Sequence, residues 1–125
     1  MKIINLVRKY NGKVLDDAGA YKSDEFIQFA KDMKSTIRDI CKEAGAELVK
    51  FSVGHYDVSG FVAKDGRYVY FSYNEPRNLP IDFDRRDCMQ GILMRTAQHD
   101  KDYTGGRNNF CTIYDFGSML NSLTA

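Results

Sequence analysis

Cysteine is scarce and unpaired in this chain: Cys41, Cys88 and Cys111 are odd in number, far apart, and form no C-x-x-C pair. That excludes a disulfide framework and a zinc knuckle, and the three read as reduced, mostly buried thiols. Charge of one sign is lacking too. Lys and Arg number 18 against 17 Asp and Glu, a formal charge of +1, with 10 basic and 8 acidic residues in 1–50 and 8 and 9 in 51–125. A domain that holds nucleic acid chiefly through phosphates carries a basic excess, because counterion release supplies much of its affinity. Composition therefore argues against that mode and leaves only a local basic patch open. Long hydrophobic runs are also missing. The opening Met1-Lys2-Ile3-Ile4-Asn5-Leu6-Val7 is too short for the apolar core of a signal peptide, and no stretch reaches membrane-spanning length. The expectation is a cytoplasmic protein with no membrane partner.

What is present is enough for a core. The 125 residues are 43% hydrophobic and 28% charged, with 8 Phe and 8 Tyr, a globular composition long enough to fold without disulfides or metal. The reading is one α+β domain over residues 1–125. Its longest periodic segment is 24–44, where Phe26, Ala30, Met33, Ile37, Ile40 and Ala44 recur at spacings of four and three, with Ile27 and Cys41 widening the stripe. That pattern is one face of an α-helix. Ser23 is placed as its N-cap, Asp24 and Glu25 suit the positive end of the dipole, and Gly45 is placed to close it. Upstream, Ile3, Ile4, Leu6, Val7 and Tyr10 favour a short helix ending at Asn11-Gly12.

After Gly45 the period changes to two. Val49, Phe51 and Val53 alternate with Lys50 and Ser52, a half-buried strand. Residues 56–64 and 67–73 flank Asp65-Gly66, which favours a type I′ turn and hence a hairpin. Two-residue closure pairs Lys64 with Arg67, Val62 with Val69, Gly60 with Phe71 and Val58 with Tyr73. The other face is left with Ser59, Phe61, Ala63, Tyr68, Tyr70 and Ser72. Residues 74–87 hold both prolines, Pro76 and Pro80, and read as a surface connection. Residues 91–97 predict a fourth strand, 98–109 a polar loop, and 110–113 a short strand pairing back. Asp115 is placed to cap a last helix carrying Phe116, Met119, Leu120 and Leu123. The expected fold is a four- to five-stranded antiparallel meander, with the long helix packed on one face and a short C-terminal helix closing the edge.

The densest polar cluster runs from Arg95 to Asn109. Arg95, Thr96, His99, Asp102, Tyr103, Arg107, Asn108 and Asn109 bring donors, acceptors and a histidine together with Gly105-Gly106. Such a stretch suits a polar or anionic ligand held by backbone N–H groups and an arginine. A solvated hairpin loop with Gly-Gly and Asn-Asn turns is the plainer alternative. The spacing matches neither a phosphate-binding P-loop nor a dinucleotide fingerprint. His55 and His99 have acids nearby but no spacing that gathers three or four metal ligands, so no metal and no cofactor is expected. A nucleophilic Cys111 assisted by His99 has no local signature, and beside Phe110 it reads as core. Phe61, Tyr68 and Tyr70 on the outer hairpin face are either covered by a helix, part of a protein interface, or a stacking platform for bases.

Several segments carry a resemblance: Ala46-Glu47-Leu48-Val49-Lys50-Phe51, Gly54-His55-Tyr56, Ser59-Gly60-Phe61, Tyr70-Phe71-Ser72, and Arg95-Thr96-Ala97 followed by Asp102-Tyr103-Thr104-Gly105-Gly106. Over about residues 45–110 the chain resembles small uncharacterised accessory proteins of phages and conjugative elements of Gram-positive bacteria. The resemblance implies an accessory role in a mobile element, of which anti-CRISPR and other anti-defence inhibitors are the familiar kind. The leading expectation is a non-catalytic binding protein in a bacterial host. It would engage a host protein or nucleoprotein through the 95–109 loop together with His55 and Tyr56. The alternative is a nucleic-acid- or nucleotide-binding domain using that loop and the aromatic hairpin face, and an enzyme built on His99 with Cys111 or Asp102 comes third.

Overall fold

The computed structural model describes residues 1–10, 24–54, 57–74 and 91–125. Helix α1 (Ile3–Tyr10) and helix α2 (Asp24–Glu43) precede five strands, β1 (Glu47–Val53), β2 (Asp57–Lys64), β3 (Arg67–Asn74), β4 (Ile92–Ala97) and β5 (Asn109–Cys111). A 3-10 turn (Ile113–Asp115) leads into helix α3 (Phe116–Leu123). The strands form one antiparallel sheet in the order β1-β2-β3-β4-β5, the expected meander. No helix among the described residues is long and apolar enough to cross a membrane. His55, Tyr56, Cys88, the Ser23 cap, the Asn11-Gly12 stop and the 75–87 connection lie outside the described residues.

The hairpin has the predicted register, with Lys64 opposite Arg67, Val62 opposite Val69, Gly60 opposite Phe71 and Val58 opposite Tyr73. Asp65 and Gly66 both take positive φ, 51° and 78°, as a type I′ turn requires. Val58, Val62, Val69, Phe71, Tyr73, Ile92 and Met94 thus share one face, and all three helices bury their apolar sides against it in a single core. Aromatic edges lock the layers. Phe71 meets Phe116 of α3 with centroids 5.5 Å apart, and Phe29 of α2 meets Tyr10 of α1 at 5.1 Å and Tyr73 of β3 at 6.1 Å. Helix α3 therefore packs on the same face as α2, rather than closing the sheet edge.

Helix α2 ends in a Schellman arrangement at Gly45, where the Ala46 N–H donates to the Cys41 carbonyl at 2.8 Å and the Gly45 N–H to Lys42 at 3.3 Å. Its buried stripe differs from the expected one on one flank. Phe29 and Thr36 are buried and Ile27 is 42% exposed, because α1 packs on the Phe29 side through Tyr10. Strand β1 also departs from simple alternation. The register slips between Leu48 and Lys50, so Leu48 lies opposite Val62, Phe51 lies opposite Gly60, and Val49 is the extra residue of a β-bulge, 37% exposed. Asp115 does not cap α3 with its side chain. Thr112 instead accepts the Asp115 N–H on its hydroxyl at 3.3 Å and starts the 3-10 turn that leads into the helix.

Candidate functional site

The register that points Val62 and Phe71 at the helices points a second set of side chains the other way. Across four strands Lys50 pairs with Phe61, Phe61 with Tyr70, and Tyr70 with Arg95, giving one row of cation, ring, ring, cation. Phe61 is completely buried, yet it belongs to none of the helix-facing core. The cover is the loop of residues 98–108, which folds back over the sheet and sets Tyr103 on the row. The Tyr103 ring stands edge-on to Phe61 at 5.3 Å and to Tyr70 at 5.7 Å, while Phe61 and Tyr70 are 5.2 Å apart. Among the described residues, what lies on Phe61 and Tyr70 is therefore the chain's own loop and not a helix.

Both cations hold Tyr103 in place, Lys50 by the tyrosine's side chain and Arg95 by its backbone. Lys50 Nζ donates to the Tyr103 phenol oxygen at 2.7 Å, and that hydrogen bond raises the Lys50 pKa, aided by Asp100 at longer range. Arg95 donates through one terminal nitrogen to the Tyr103 carbonyl and through the other to Asn108 Oδ1 at 3.3 Å. Its guanidinium carbon lies 4.7 Å from the Tyr70 ring centroid, a cation–π contact. Buried Arg95 Nε finds no hydrogen-bond acceptor among the described residues. Tyr103 remains 47% exposed, so one side of the assembled cluster faces solvent.

The loop is held by its own acid. Asp102 accepts the N–H groups of Gln98 at 3.0 Å, Thr104 at 3.2 Å and Gly105 at 3.0 Å, and the Thr104 hydroxyl at 3.4 Å. These backbone donors, that of Gln98 first, hold its carboxyl below the ordinary carboxylate range against the opposing effect of burial. Three of the N–H groups that the sequence offers to an anion, those of Gln98, Thr104 and Gly105, are thus taken by Asp102. Gly106 completes the fold-back at φ 77°, where a side-chain carbon would overlap the Thr96 carbonyl oxygen.

Of the sequence-predicted residues, the structure brings Arg95, Asp102, Tyr103 and Asn108 together. Asn109 braces the base of the loop, its amide donating to the Met94 and Arg107 carbonyls at 3.3 and 3.0 Å. Thr96 sits opposite Val69, on the other face of β4 from Arg95. Arg107 is exposed, and so is His99, whose Nδ1 accepts the Lys101 N–H at 3.1 Å. Cys111 is buried against Met94, with sulfurs 3.6 Å apart. Lys50 is the member that sequence reasoning missed. Its signal was its place on the polar side of β1, opposite a hairpin residue whose own partner is Tyr70.

Elsewhere, a groove of about 670 Å³ is lined by Met1, by Ile3 and Ile4 of α1, and by Ile40, Asp39 and Lys42 of α2, away from this cluster. Among the described residues no three His, Cys, Asp or Glu side chains gather as metal ligands do. No protein-family model, curated protein or solved structure matches this chain, so the site is read from its own geometry.

Proposed function

We propose that this chain is a non-catalytic binding protein that engages a protein or nucleoprotein partner with the Tyr103 loop and the Lys50–Phe61–Tyr70–Arg95 row. The observation that carries the reading is the seating of Tyr103. A half-exposed ring is fixed by two other rings and a lysine, its backbone is held by an arginine, and its loop is fixed by Asp102. Interfaces draw most of their binding energy from a few such tyrosines and arginines, and a ring already held in place loses little entropy on binding. The resemblance to accessory proteins of mobile elements supports placing the partner in a bacterial host and the outcome as inhibition of a host system. Affinity capture from a bacterial lysate tests this with the wild type, Tyr103→Ala and Arg95→Ala. The expected result is a partner retained by the wild type and lost by both variants. A partner retained equally by all three would remove the loop from the interface.

A second reading has its own support, since rings flanked by cations also suit stacked bases and phosphates. Near-neutral composition weighs against it. Retention of an unstructured oligonucleotide, falling steeply as salt rises, would favour it over a protein partner.

A further inference from the structure

Lys50 and Arg95 are the two ends of the row, and among the described residues neither makes an ion pair. Their donors rest on neutral oxygens, the Tyr103 phenol and carbonyl and the Asn108 amide. Hydrogen bonds to neutral acceptors orient a cation without cancelling its charge, so the exposed side of Tyr103 lies between two cations that no direct ion pair neutralises, with Asp100 acting on Lys50 only at longer range.

We propose that this row recognises an extended acidic segment of a protein partner, in which two carboxylates flank an aromatic residue. The inference rests on the binding reading above and names the chemistry of the partner. Spacing supplies the pattern. Lys50 and Arg95 stand three strand-to-strand steps apart, about 14 Å between backbones. Both heads lean inward onto Tyr103, so their charges are closer than that. In an extended peptide, side chains on one side recur every second residue, and carboxylates four residues apart are spaced about 14 Å at most. The residue midway between them meets the Tyr103 ring, where an aromatic side chain extends the edge-to-face cluster. A polyanion fits less well, because Asp100 and Glu47 share this side of the molecule and the chain's net charge is only +1.

Fluorescence anisotropy on the full chain tests the inference with a labelled Gly-Glu-Ser-Tyr-Ser-Glu-Gly peptide. Its Gln-for-Glu and Ala-for-Tyr counterparts and a single-stranded thymidine 12-mer serve as the other arms. The Glu peptide is expected to bind about tenfold more tightly than the Gln peptide, the scale of a charge-assisted contact. Lys50→Gln, which keeps a donor for Tyr103, should lose about the same factor, and Arg95→Lys should retain more binding than Arg95→Gln. Thermal unfolding of each variant separates lost binding from lost fold, and Lys50→Gln, altered at a partly exposed edge-strand position, keeps the test available if the Arg95 variants do not fold. Equal binding of the Glu and Gln peptides, tighter binding of the oligonucleotide, or no binding of any peptide overturns the inference. If that happens while a captured partner still depends on Tyr103 and Arg95, the acidic segment is wrong and the binding reading stands. If the captured partner is indifferent to both residues, the binding reading itself fails.

Discussion

Lys50 Nζ donates to the Tyr103 phenol oxygen at 2.7 Å, tying strand β1 to a loop 53 residues further along the chain. Removing the hydroxyl and removing the ring should have separable effects. Tyr103→Phe loses one hydrogen bond at the surface and is expected to cost at most about 1 kcal/mol in urea unfolding. Tyr103→Ala loses two edge-to-face contacts and uncovers Phe61, for a cost of about 1–3 kcal/mol. Equal effects of the two variants would mean that the ring contacts contribute little.

Gly60 lies opposite Phe71, whose ring fills the space above it, and a side-chain carbon on Gly60 would stand 2.8 Å from Phe71 Cζ and overlap the Lys50 carbonyl. The obstacle on the Lys50 side is backbone, which cannot swing away. Gly60→Ala is therefore expected to destabilise by about 3 kcal/mol or more. Chemical denaturation checks this, and a loss under 1 kcal/mol would show that β1 can retreat from β2 freely.

Asp102 makes the loop sensitive to acid. Its carboxyl is held below the ordinary range by the N–H groups of Gln98, Thr104 and Gly105. A carboxylate with a lowered folded-state pKa stabilises fully above its ordinary value of about 4 and loses that contribution as pH falls through the folded value. Amide exchange at Thr104 and Gly105 should accelerate over that acidic window, beyond the intrinsic pH trend. Asp102→Asn should abolish the transition and leave exchange fast throughout.

Tyr10 and Asp32 tie α1 to α2, with the Tyr10 hydroxyl donating to Asp32 at 2.6 Å beside Lys9 at 2.9 Å and Gln28 at 3.1 Å. Burial first, then the neighbouring carboxylate, raises the Tyr10 pKa well above that of a free phenol. Burial alone would also raise Asp32, but the three donors outweigh it and hold it low. The two signs are opposite. The Tyr10 contribution is present below the free-phenol value of about 10 and lost as pH rises through the folded value. The Asp32 contribution is lost as pH falls through its own folded value. Tyr10 and Tyr73 are both buried, so in an alkaline absorbance titration the ionisation step that coincides with unfolding should lose amplitude in Tyr10→Phe without disappearing. Smooth ionisation of all eight tyrosines before unfolding would contradict the burial of this hydroxyl.

Where local rules decide the outcome, the chain could be read directly. Asp65-Gly66 sets the hairpin register without outside help, and the three-four spacing in α2 sets its core face down to Ile40. What escaped the reading depends on partners distant in sequence. Phe29 is buried and Ile27 is not because α1 arrives on one flank, and the Val49 bulge belongs to the fit between β1 and β2. The candidate site was legible in its parts, the aromatic hairpin face and the 95–109 loop. Their union was not, since it needs Arg95 to pair with Tyr70 across residues 75–90 and the loop to land Tyr103 on Phe61.

The bulge at Val49 also bears on how copies of this chain treat one another. Among the described residues strand β1 ends the sheet, and an end strand offers unsatisfied backbone groups to any similar strand it meets. An extra residue there spoils the regular spacing that a second molecule would need to continue the ladder, and Lys50 beside it adds mutual repulsion. The irregularity that hid β1's true alternation from a reader of the sequence thus doubles as a safeguard against edge-to-edge aggregation in a crowded solution.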